Sequence, residues 1–463
     1  MFDGEADGFN ELLVADGAGA ALHAARSRPV DLTEPTPTWC TGVRHQCTRR
    51  IGRGEGCSDA TIIDTMSADT NAVYYDPYDV VINADPYPTY ARLREEAPAY
   101  HNERHEFWVL SRHADVEKAL VDWNTFTNSR SNILDIIKAD IELPPGVILF
   151  EDPPVHTMHR GLMARVFTPR RMAALEDQVR EFCAKCLDPL VGSSGFDIIT
   201  ELGSMLPMRV IGMLLGIPEQ DQEAVRDRTD ENLRTEAGQP MVVEEDKVAS
   251  GDMFADYVEW RAEHPSDDLM TTLLNAEFED EHGETRTLTR QEVLTYTAVL
   301  AGAGNETTGR LIGWLAKLLA EHPDQRREIV QDRSLIPRVI DETLRFEPTG
   351  HAVARCVTRD VEYHGRTIPA GSPVLLSMAS ANRDPRRYSH PDLYDIHRDD
   401  IQHLTFGFGL HFCLGASLAR LEGRVALDEL LTRFPEWNVD YDGMKLAPTT
   451  TVRGWDNMPI VLG

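Results

Sequence analysis

The sequence predicts a mainly α-helical fold with a small β region. Helical periodicity of the apolar residues runs almost without interruption from about residue 172 to residue 321. Residues 356–376 instead alternate in a β pattern, with turns predicted at 364–365 and 370–371. Near the end of the chain, residues 449–455 and 458–461 predict a β-hairpin. With 463 residues, the chain can bury a substantial core as one large domain or as two to three ordinary ones.

Composition excludes several function classes. An apolar content of 42% and a charged content of 26% are typical of a soluble globular protein. The formal charge of −30 disfavours nucleic acid or an anionic membrane as a partner, because both would be repelled. No run approaches the roughly 18 apolar residues of a membrane span, and the acidic start at Asp3, Glu5 and Asp7 is unlike a signal peptide. We therefore expect a cytoplasmic protein, and a monomer.

The chain divides into two parts by pattern. Residues 1–70 show no sustained periodicity, so we expect an N-terminal extension that is disordered. Residues 71–463 form the predicted globular domain, with an early helix at 86–94, a strand at 107–110 and a helix at 114–121. A long irregular stretch follows at 126–154 and still carries apolar residues, as functional loops often do.

The last helix of the central helical region is the most informative. Thr289 and Glu292 form a capping box, and the predicted helix continues for roughly 33 residues, about 50 Å. Its middle, residues 301–309, holds three glycines, which cost up to about 1 kcal/mol each in a helix interior. Either the glycines allow a close helix–helix contact, or the helix opens locally to admit a flat ligand.

Cys413 stands at a predicted loop-to-helix junction. The stretch before it alternates phenylalanine and glycine, and residues 416–422 have the composition of a helix. Free amides and the helix dipole favour a thiolate at such a place, and thiolate is the form that binds metal. We expect Gly407, Gly409 and Gly415 to adopt positive φ and let the backbone approach a flat ligand. The alternative is an ordinary buried thiol.

This stretch resembles the haem-binding signature of cytochromes P450, Phe-x-x-Gly-x-x-x-Cys-x-Gly, and the chain resembles soluble, actinobacterial members of that family. The resemblance covers about residues 75–463 through four motifs in family order. It implies the cytochrome P450 fold, with haem b held between two long helices and Cys413 as its axial thiolate. Thiolate ligation favours O–O cleavage. Phe406 and His411, within the signature, are then expected to contact the haem.

The other motifs imply further roles. Ala303, Gly304, Glu306 and Thr307 match the oxygen-activation motif, so Glu306 and Thr307 are the expected catalytic pair, and the family favours the opened helix over the close contact. His156, Arg160 and Arg355 are expected to bind the haem propionates. Glu342, Arg345 and Arg398 are expected to form a buried structural trio. The predicted substrate pocket consists of Ile133, Leu134, Leu300, Ala303, Val353 and Thr450.

The resemblance also implies a reaction and its partners. We expect a monooxygenase that inserts one atom of O₂ into an apolar small molecule such as a terpenoid, fatty acid or steroid. Electrons would come from a ferredoxin and its NAD(P)H-dependent reductase, with Arg165, Arg420 and Arg424 as a local basic patch for an acidic ferredoxin. The alternatives are a peroxygenase that uses H₂O₂ and a non-catalytic haem-thiolate sensor. Glu306 and Thr307 argue against both.

Cys183 and Cys186 form a C-x-x-C sequence away from these motifs. Such a pair could carry redox chemistry or half a zinc site, but no second pair stands at metal-binding spacing. The surrounding helical periodicity favours two thiols that face the core. Cys40, Cys47 and Cys57 with His45 form only a weak metal-binding pattern.

Overall fold

Helices dominate the computed structural model of this chain, which describes residues 72–463 except 145, 232–233, 245–247, 249–250 and 281. In chain order they are α1 Val80–Ala84, α2 Tyr87–Glu96, α3 His113–Val121, α4 Leu134–Ala139, α5 Val155–Ala164, α6 Pro169–Ala173, α7 Glu176–Leu187, α8 Leu206–Leu215, α9 Gln222–Glu231, α10 Ala255–Glu263, α11 Leu269–Asn275, α12 Arg290–Glu321, α13 Pro323–Gln331, α14 Ile336–Phe346, α15 Met378–Ala381 and α16 Ala416–Arg433. A π-helical turn at Ile199–Gly203 precedes α8. The predicted extension, residues 1–70, lies outside the described residues, so its disorder and the boundary at residue 71 remain predictions.

Short strands form a small β region. The strands are β1 Ala99–Asn102, β2 Phe107–Leu110, β3 Phe126–Thr127, β4 Gly195–Asp197, β5 Glu277–Glu279, β6 Thr285–Thr287, β7 Ala352–Val357, β8 Val361–Tyr363, β9 Arg366–Ile368, β10 Pro373–Ser377, β11 Trp437–Val439, β12 Lys445–Leu446, β13 Trp455–Asn457 and β14 Pro459–Leu462. The largest sheet has the order β1-β2-β10-β7-β3, and β11, β14 and β4 form a second sheet. Pairs β5–β6, β8–β9 and β12–β13 are two-stranded. The predicted fold class is confirmed.

Helix α12 is the central element. It runs for 32 residues behind the predicted capping box, in which the Thr289 side chain accepts from the Glu292 amide and the Glu292 side chain accepts from the Thr289 amide. Most of its residues are buried, since α8, α14 and α16 all pack against it. A polar helix start and an apolar body thus place this helix through the middle of the core.

Two predictions about β structure are wrong. Strands β13 and β14 do not pair with each other as a hairpin, because β13 pairs with β12 while β14 lies between β11 and β4. The region from residue 172 to residue 321, predicted to be almost wholly helical, also contains the hairpin β5–β6. Strands of three residues are too short to show a period of two.

Among the described residues, no helix is both long enough and apolar enough to cross a lipid bilayer.

Candidate functional site

A large cavity of about 1520 Å³ lies between the middle of α12 and the loop that precedes α16. Helix α12 contributes residues from Ala298 to Leu311, and the loop contributes residues from Thr405 to Gly415. Helix α5 and strand β7 close one end with His156, Arg160, Val353 and Arg355. The sequence motifs, far apart in the chain, therefore meet at one cavity.

The backbone around Cys413 forms a tight loop. The Cys413 amide donates to the Phe406 carbonyl at 2.7 Å, and Gly407 and Gly409 have φ of 72° and 75°. A side chain at Gly409 would meet Val121 and the Leu120 carbonyl. The expectation of positive φ at Gly415 is wrong, because that residue has φ of −83° as the N-cap of α16. The loop presents the Cys413 side chain to the cavity.

Two effects act on the Cys413 thiol. Burial among protein atoms raises its pKa, while the Gly415 and Ala416 amides and the Arg160 and Arg420 guanidinium groups lower it in part. Burial is the larger effect, so the helix start alone does not produce the thiolate that the sequence predicted. Cys413 is nevertheless accessible, because its side chain borders the cavity. A bound metal cation would supply the charge that favours the thiolate.

Four hydrogen-bond donors cluster at one end of the cavity. The His156 and His411 rings lie 4.1 Å apart between centroids, beside Arg160 and Arg355. Both ring nitrogens of His156 and the Nε2 of His411 are buried and have no hydrogen-bond partner among the residues that the structure describes. In the described part of the chain, neither arginine forms an ion pair. Arg355 donates to the Ala354 carbonyl at 2.7 Å, and Arg160 donates to the Phe412 carbonyl.

These groups are electrostatically unbalanced. Burial lowers the pKa of His156, and burial together with His156, Arg355 and Arg160 lowers the pKa of His411 to about 3. Burial also lowers the pKa of Arg355 to about 10. Buried donors and cations of this kind require an anionic partner. The cluster is therefore built to hold acidic groups of a ligand in the cavity.

Ala303 and Thr307, which are one turn apart on α12, both border the cavity. The Thr307 hydroxyl donates to the Ala303 carbonyl at 2.8 Å, so the same oxygen retains the capacity to accept a hydrogen bond. Thr308 also borders the cavity, so two adjacent threonines stand on an otherwise apolar stretch of α12.

The glycines of α12 have a different role from the one that the family resemblance favoured. The helix is continuous from Arg290 to Glu321, so the expected local opening is absent. A Cβ at Gly302 would lie 3.3 Å from Thr229, one at Gly304 would lie 3.4 Å from Ile211, and one at Gly309 would clash with the Gly203 carbonyl at 2.5 Å. Close contact with α8, α9 and the π-helical turn explains all three.

Glu306 lies next to Thr307 in sequence, but its carboxylate does not line the cavity. It accepts from Arg310 at 2.7 Å on the other side of α12, and its second oxygen is buried with no partner in the described ranges. Burial raises the pKa of Glu306, and Arg310 offsets part of that rise. The two expected catalytic residues thus face different surroundings, because adjacent helical residues project about 100° apart.

The expected buried trio is brought together. Arg345 donates two hydrogen bonds to Glu342, at 2.7 and 2.8 Å, and Arg398 donates to the same carboxylate at 3.2 Å. Glu342 and Arg345 are wholly inaccessible to solvent, and Arg398 is 8% exposed. Both arginines also donate to the Leu393 carbonyl, so the trio fixes the chain that leads into the cysteine loop.

The predicted substrate pocket needs correction at two positions. Ile133, Leu300, Ala303 and Val353 line the cavity. Leu134 instead packs in a separate core cluster with Tyr75 and Tyr90, and Thr450 donates to Asp135 at 3.3 Å in a small neighbouring pocket. Their sequence neighbours, Ile133 and Thr451, take the cavity positions. At the start of a short helix, as at Ile133 and Leu134, and in irregular chain, as at Thr450 and Thr451, no period shows which of two adjacent side chains points inward.

Several apolar lining residues were missed by sequence reasoning. The cavity also contacts Ile136, Val147, Phe150, Phe167, Val243 and Val299. Val299 precedes Leu300 on α12, and its position one turn before Ala303 could have revealed it. Ile136 lies on the short helix α4, Phe150 ends a 3-10 turn and the others come from loops; in all these segments only an excess of apolar residues was visible.

Two cations of the expected basic patch are already paired. Arg420 donates to Asp341 at 2.8 Å and stacks on Phe406 at 4.6 Å from the ring centre. Arg424 donates to Glu176 at 2.8 Å. Arg165 is exposed and forms no ion pair among the described residues, and Arg170 and Arg171 are exposed nearby on α6. The expected patch therefore shifts from α16 toward Arg165 and α6.

The C-x-x-C thiols belong to the core. Cys183 is fully buried and Cys186 is partly buried against the same cluster, and burial raises the pKa of both. Within the described ranges, no group of three or more His, Cys, Asp or Glu residues is arranged to hold a metal ion. Cys40, His45, Cys47 and Cys57 lie outside those ranges.

Comparison with known proteins identifies the family. The family model described as Cytochrome P450 matches residues 245–452. The chain is 38% identical over 390 residues to Putative cytochrome P450 123 of Mycobacterium tuberculosis, with 83% of this chain and 96% of that protein covered. It is 37% identical to the Vitamin D(3) 25-hydroxylase of Pseudonocardia autotrophica, with 82% and 94% covered. The solved structure of Cytochrome P450 CYP109Q5 from Chondromyces apiculatus superposes with a TM-score of 0.75 at 33% identity, covering 84% of this chain and 98% of that one.

A helical fold with a cysteine loop facing a large cavity defines a haem-thiolate protein. The chain belongs to the cytochrome P450 family, in its bacterial type, and is a P450 monooxygenase with haem as cofactor and a cysteine as axial ligand. The residues present fit that cofactor. The thiol of Cys413 borders the cavity. At one end of it, nitrogens of His156 and His411 have no partner among the described residues, and the two arginines beside them form no ion pair there.

Proposed function

We propose that this monooxygenase hydroxylates an apolar molecule of about the size of a steroid. The observation that carries the proposal is the cavity itself, which is bordered by more apolar than charged side chains, among them Ile133, Leu300 and Val353, although Arg228, Glu231 and Arg234 border it too. Apolar pockets with few polar groups bind ligands by burial of apolar surface. The similarity to a Vitamin D(3) 25-hydroxylase supports the steroid-like class over terpenoids and fatty acids.

Cys413 is the proposed axial thiolate, and His156, Arg160, Arg355 and His411 are the proposed ligands of the haem propionates. Their unmet donors and surplus positive charge support the second assignment. Phe406 borders the same cavity. When bound, the haem supplies the activation of O₂, and thiolate ligation favours cleavage of the O–O bond. The buried trio of Glu342, Arg345 and Arg398 holds in place the chain that leads into the cysteine loop. These three residues do not contact the cavity.

Thr307 and Glu306 are the proposed proton-delivery residues. The Thr307 hydroxyl borders the cavity, where it can accept a hydrogen bond, and it can donate one there when it releases the Ala303 carbonyl. Glu306 faces the outer side of α12, where Arg310, Asp456 and Arg234 lead toward solvent. Glu306 can therefore take protons from the protein surface, and the Thr307 hydroxyl can pass a proton on inside the cavity by giving up its own hydrogen as it accepts another.

A ferredoxin, reduced by an NAD(P)H-dependent reductase, is the proposed electron donor. Arg165 supports this proposal, because it is an exposed cation on the chain that continues α5 beyond Arg160. The charge of −30 would otherwise repel an acidic protein. A cytoplasmic location and a monomeric state are part of the same proposal.

Spectral titration of the purified haem protein tests the substrate class. Vitamin D3, testosterone, palmitic acid and limonene serve as probes of the steroid-like, fatty-acid and terpenoid classes. We expect the first two to shift the Soret band at the lowest concentrations and to yield hydroxylated products with ferredoxin, reductase and NAD(P)H. Tighter binding of palmitic acid or limonene would overturn the substrate class. Product formation with H₂O₂ alone, at an equal rate, would favour a peroxygenase.

Charge reversal at Arg165 tests the partner surface. R165E should slow reduction by ferredoxin at low salt by roughly tenfold, and the difference should shrink as salt screens the charge. Arg104, an exposed arginine after strand β1, provides the control R104E. Equal effects of the two variants would contradict a localised docking site at Arg165.

A further inference from the structure

Glu422 is a buried acid for which the mechanism above has no use. It lies on α16, nine positions after Cys413 in the sequence, and only 2% of the residue is exposed to solvent. Its Oε2 atom is buried without a hydrogen-bond partner, and in the described part of the chain its carboxyl forms no ion pair. Leu418, Ala419 and Glu422 share one face of α16, and that face borders the cavity.

The neighbouring charges do not compensate Glu422. Helix α7 packs against α16. Its Glu176 pairs with Arg424, and its Arg180 pairs with Asp428 and Glu429. Cys183 on α7 is near enough that a charge on Glu422 would raise its pKa further.

The other elements packed on α16 add no counter-charge either. On α14, Asp341 pairs with Arg420 and His403. On α12, Glu306 pairs with Arg310, and Arg310 also pairs with Asp456 on β13. On α6, Arg170 and Arg171 are exposed. Burial alone raises the pKa of Glu422, to about 8.

We propose that Glu422 is a positioning residue for electron transfer, a proton-accepting carboxyl that couples the reduction of the bound haem to the uptake of a proton. A negative charge enclosed near the cofactor stabilises the oxidised, more positive iron and disfavours its reduction. When ferric iron gains one electron from a ferredoxin-type donor, the ionised carboxylate gains one proton from solvent and becomes neutral. Charge within the site is then conserved, since one electron and one proton enter together.

The linkage has a definite sign. Below pH 7 the carboxyl is already neutral in both redox states, so the reduction potential should not depend on Glu422. As pH rises through about 8, the ferric form ionises first, and the potential should fall. Because the effect requires haem but neither substrate nor turnover, it stands or fails independently of the proposed substrate.

The test is an equilibrium redox titration of the haem-loaded protein from pH 6 to pH 10, without substrate. At a fixed applied potential, the ferrous-to-ferric ratio of the wild type should fall by about tenfold between pH 7 and pH 10, the order expected for one interacting unit charge in a protein interior. E422Q keeps the shape of the side chain but cannot ionise. Its ferrous-to-ferric ratio should not change with pH and should equal the ratio of the wild type at the acid end of the titration. E429Q is the matched control, because Glu429 lies on the same helix and is paired with Arg180 and Arg433. It should retain the wild-type pH dependence.

A second readout keeps the proposal open to refutation if E422Q retains little haem. The infrared spectrum of wild-type protein should contain the band of a protonated carboxyl at pH 7, and the band should disappear near pH 8 and be absent from E422M. Equal pH dependence in the wild type and E422Q would overturn the proposal. So would loss of the pH dependence in E429Q, or the absence of a protonated carboxyl band at pH 7.

Discussion

The carboxylate of Glu306 accepts a hydrogen bond of 2.7 Å from Arg310, one turn further along the same helix, and points away from the cavity that Thr307 faces. Arg310 also donates to Asp456 at 3.2 Å, and Asp456 accepts from Arg234, which is half-exposed. A series of charged groups thus connects the proposed proton relay to the protein surface, while the hydroxyl inside the cavity belongs to a separate side chain.

Removal of Arg310 should change the pH dependence of turnover. Arg310 lowers the pKa of Glu306 against the effect of burial, so R310Q should raise that pKa further. The ionisation of Glu306 in the pH profile of product formation should then move to higher pH. R327Q is the control, since Arg327 is half-exposed, pairs with Asp324 and does not line the cavity. An unchanged profile in R310Q would show that Glu306 does not control turnover.

Thr307→Ala should uncouple electron consumption from product formation. The variant removes the hydroxyl at the cavity wall, so haem content and substrate binding should remain while much of the reducing power appears as H₂O₂. T297A is a matched control, because Thr297 makes the same type of bond to the carbonyl four residues earlier, at 2.8 Å, but lies outside the cavity. The measurement is product formed per NAD(P)H consumed. Equal coupling in T307A and the wild type would reduce Thr307 to a packing residue.

Glu342→Gln should be strongly destabilising. The variant leaves Arg345 and Arg398 buried without their carboxylate, and removal of one partner from a buried ion pair costs about 3 to 5 kcal/mol. Urea unfolding measures the loss. The exposed pair of Arg92 and Glu96 supplies the control, since E96Q should cost less than about 1 kcal/mol. Similar losses in both variants would contradict a structural role for the trio.

Glu422→Gln should stabilise the protein at neutral and alkaline pH. The folded-state pKa is about 8 and the ordinary value is 4.5, so the folded state holds a proton that the unfolded state has lost between those limits. Wild-type stability therefore falls as pH rises through this window. At pH 7 the free energy of unfolding of E422Q should exceed that of the wild type by up to about 3 kcal/mol, at 1.36 kcal/mol per pKa unit. The difference should vanish near pH 4.5. Denaturant unfolding of the apoprotein at several pH values measures the free energy of unfolding of the wild type and of E422Q. The same pH dependence in both proteins would refute the prediction.

Sequence reasoning was most successful where a residue type and its spacing determine local geometry. The capping box at Thr289 and Glu292, the positive φ of Gly407 and Gly409, and the convergence of Glu342, Arg345 and Arg398 are all observed. Each depends on short-range backbone chemistry or on a motif with fixed spacing.

It was least successful where side-chain direction depends on tertiary packing. Ile133 and Leu134 are equally apolar, yet only the first reaches the cavity, and Thr451 takes the place expected for Thr450. The glycines of α12 were assigned to a local opening because the facing residues, Ile211 and Gly203, are distant in sequence. Glu422 follows Leu421 on a helix with many apolar residues, and that mismatch was the available signal of a buried acid.

The ferrous carbon monoxide spectrum of freshly purified protein tests most directly the claim that Cys413 is the axial ligand. The account predicts the strongly red-shifted Soret band of thiolate ligation in the wild type and in C186S, whose thiol packs against the core away from the cavity. In C413H the band should move to the position typical of a histidine ligand, with the fold retained. A histidine-type spectrum in the folded wild type, or a thiolate-type spectrum that persists in C413H, would contradict the assignment.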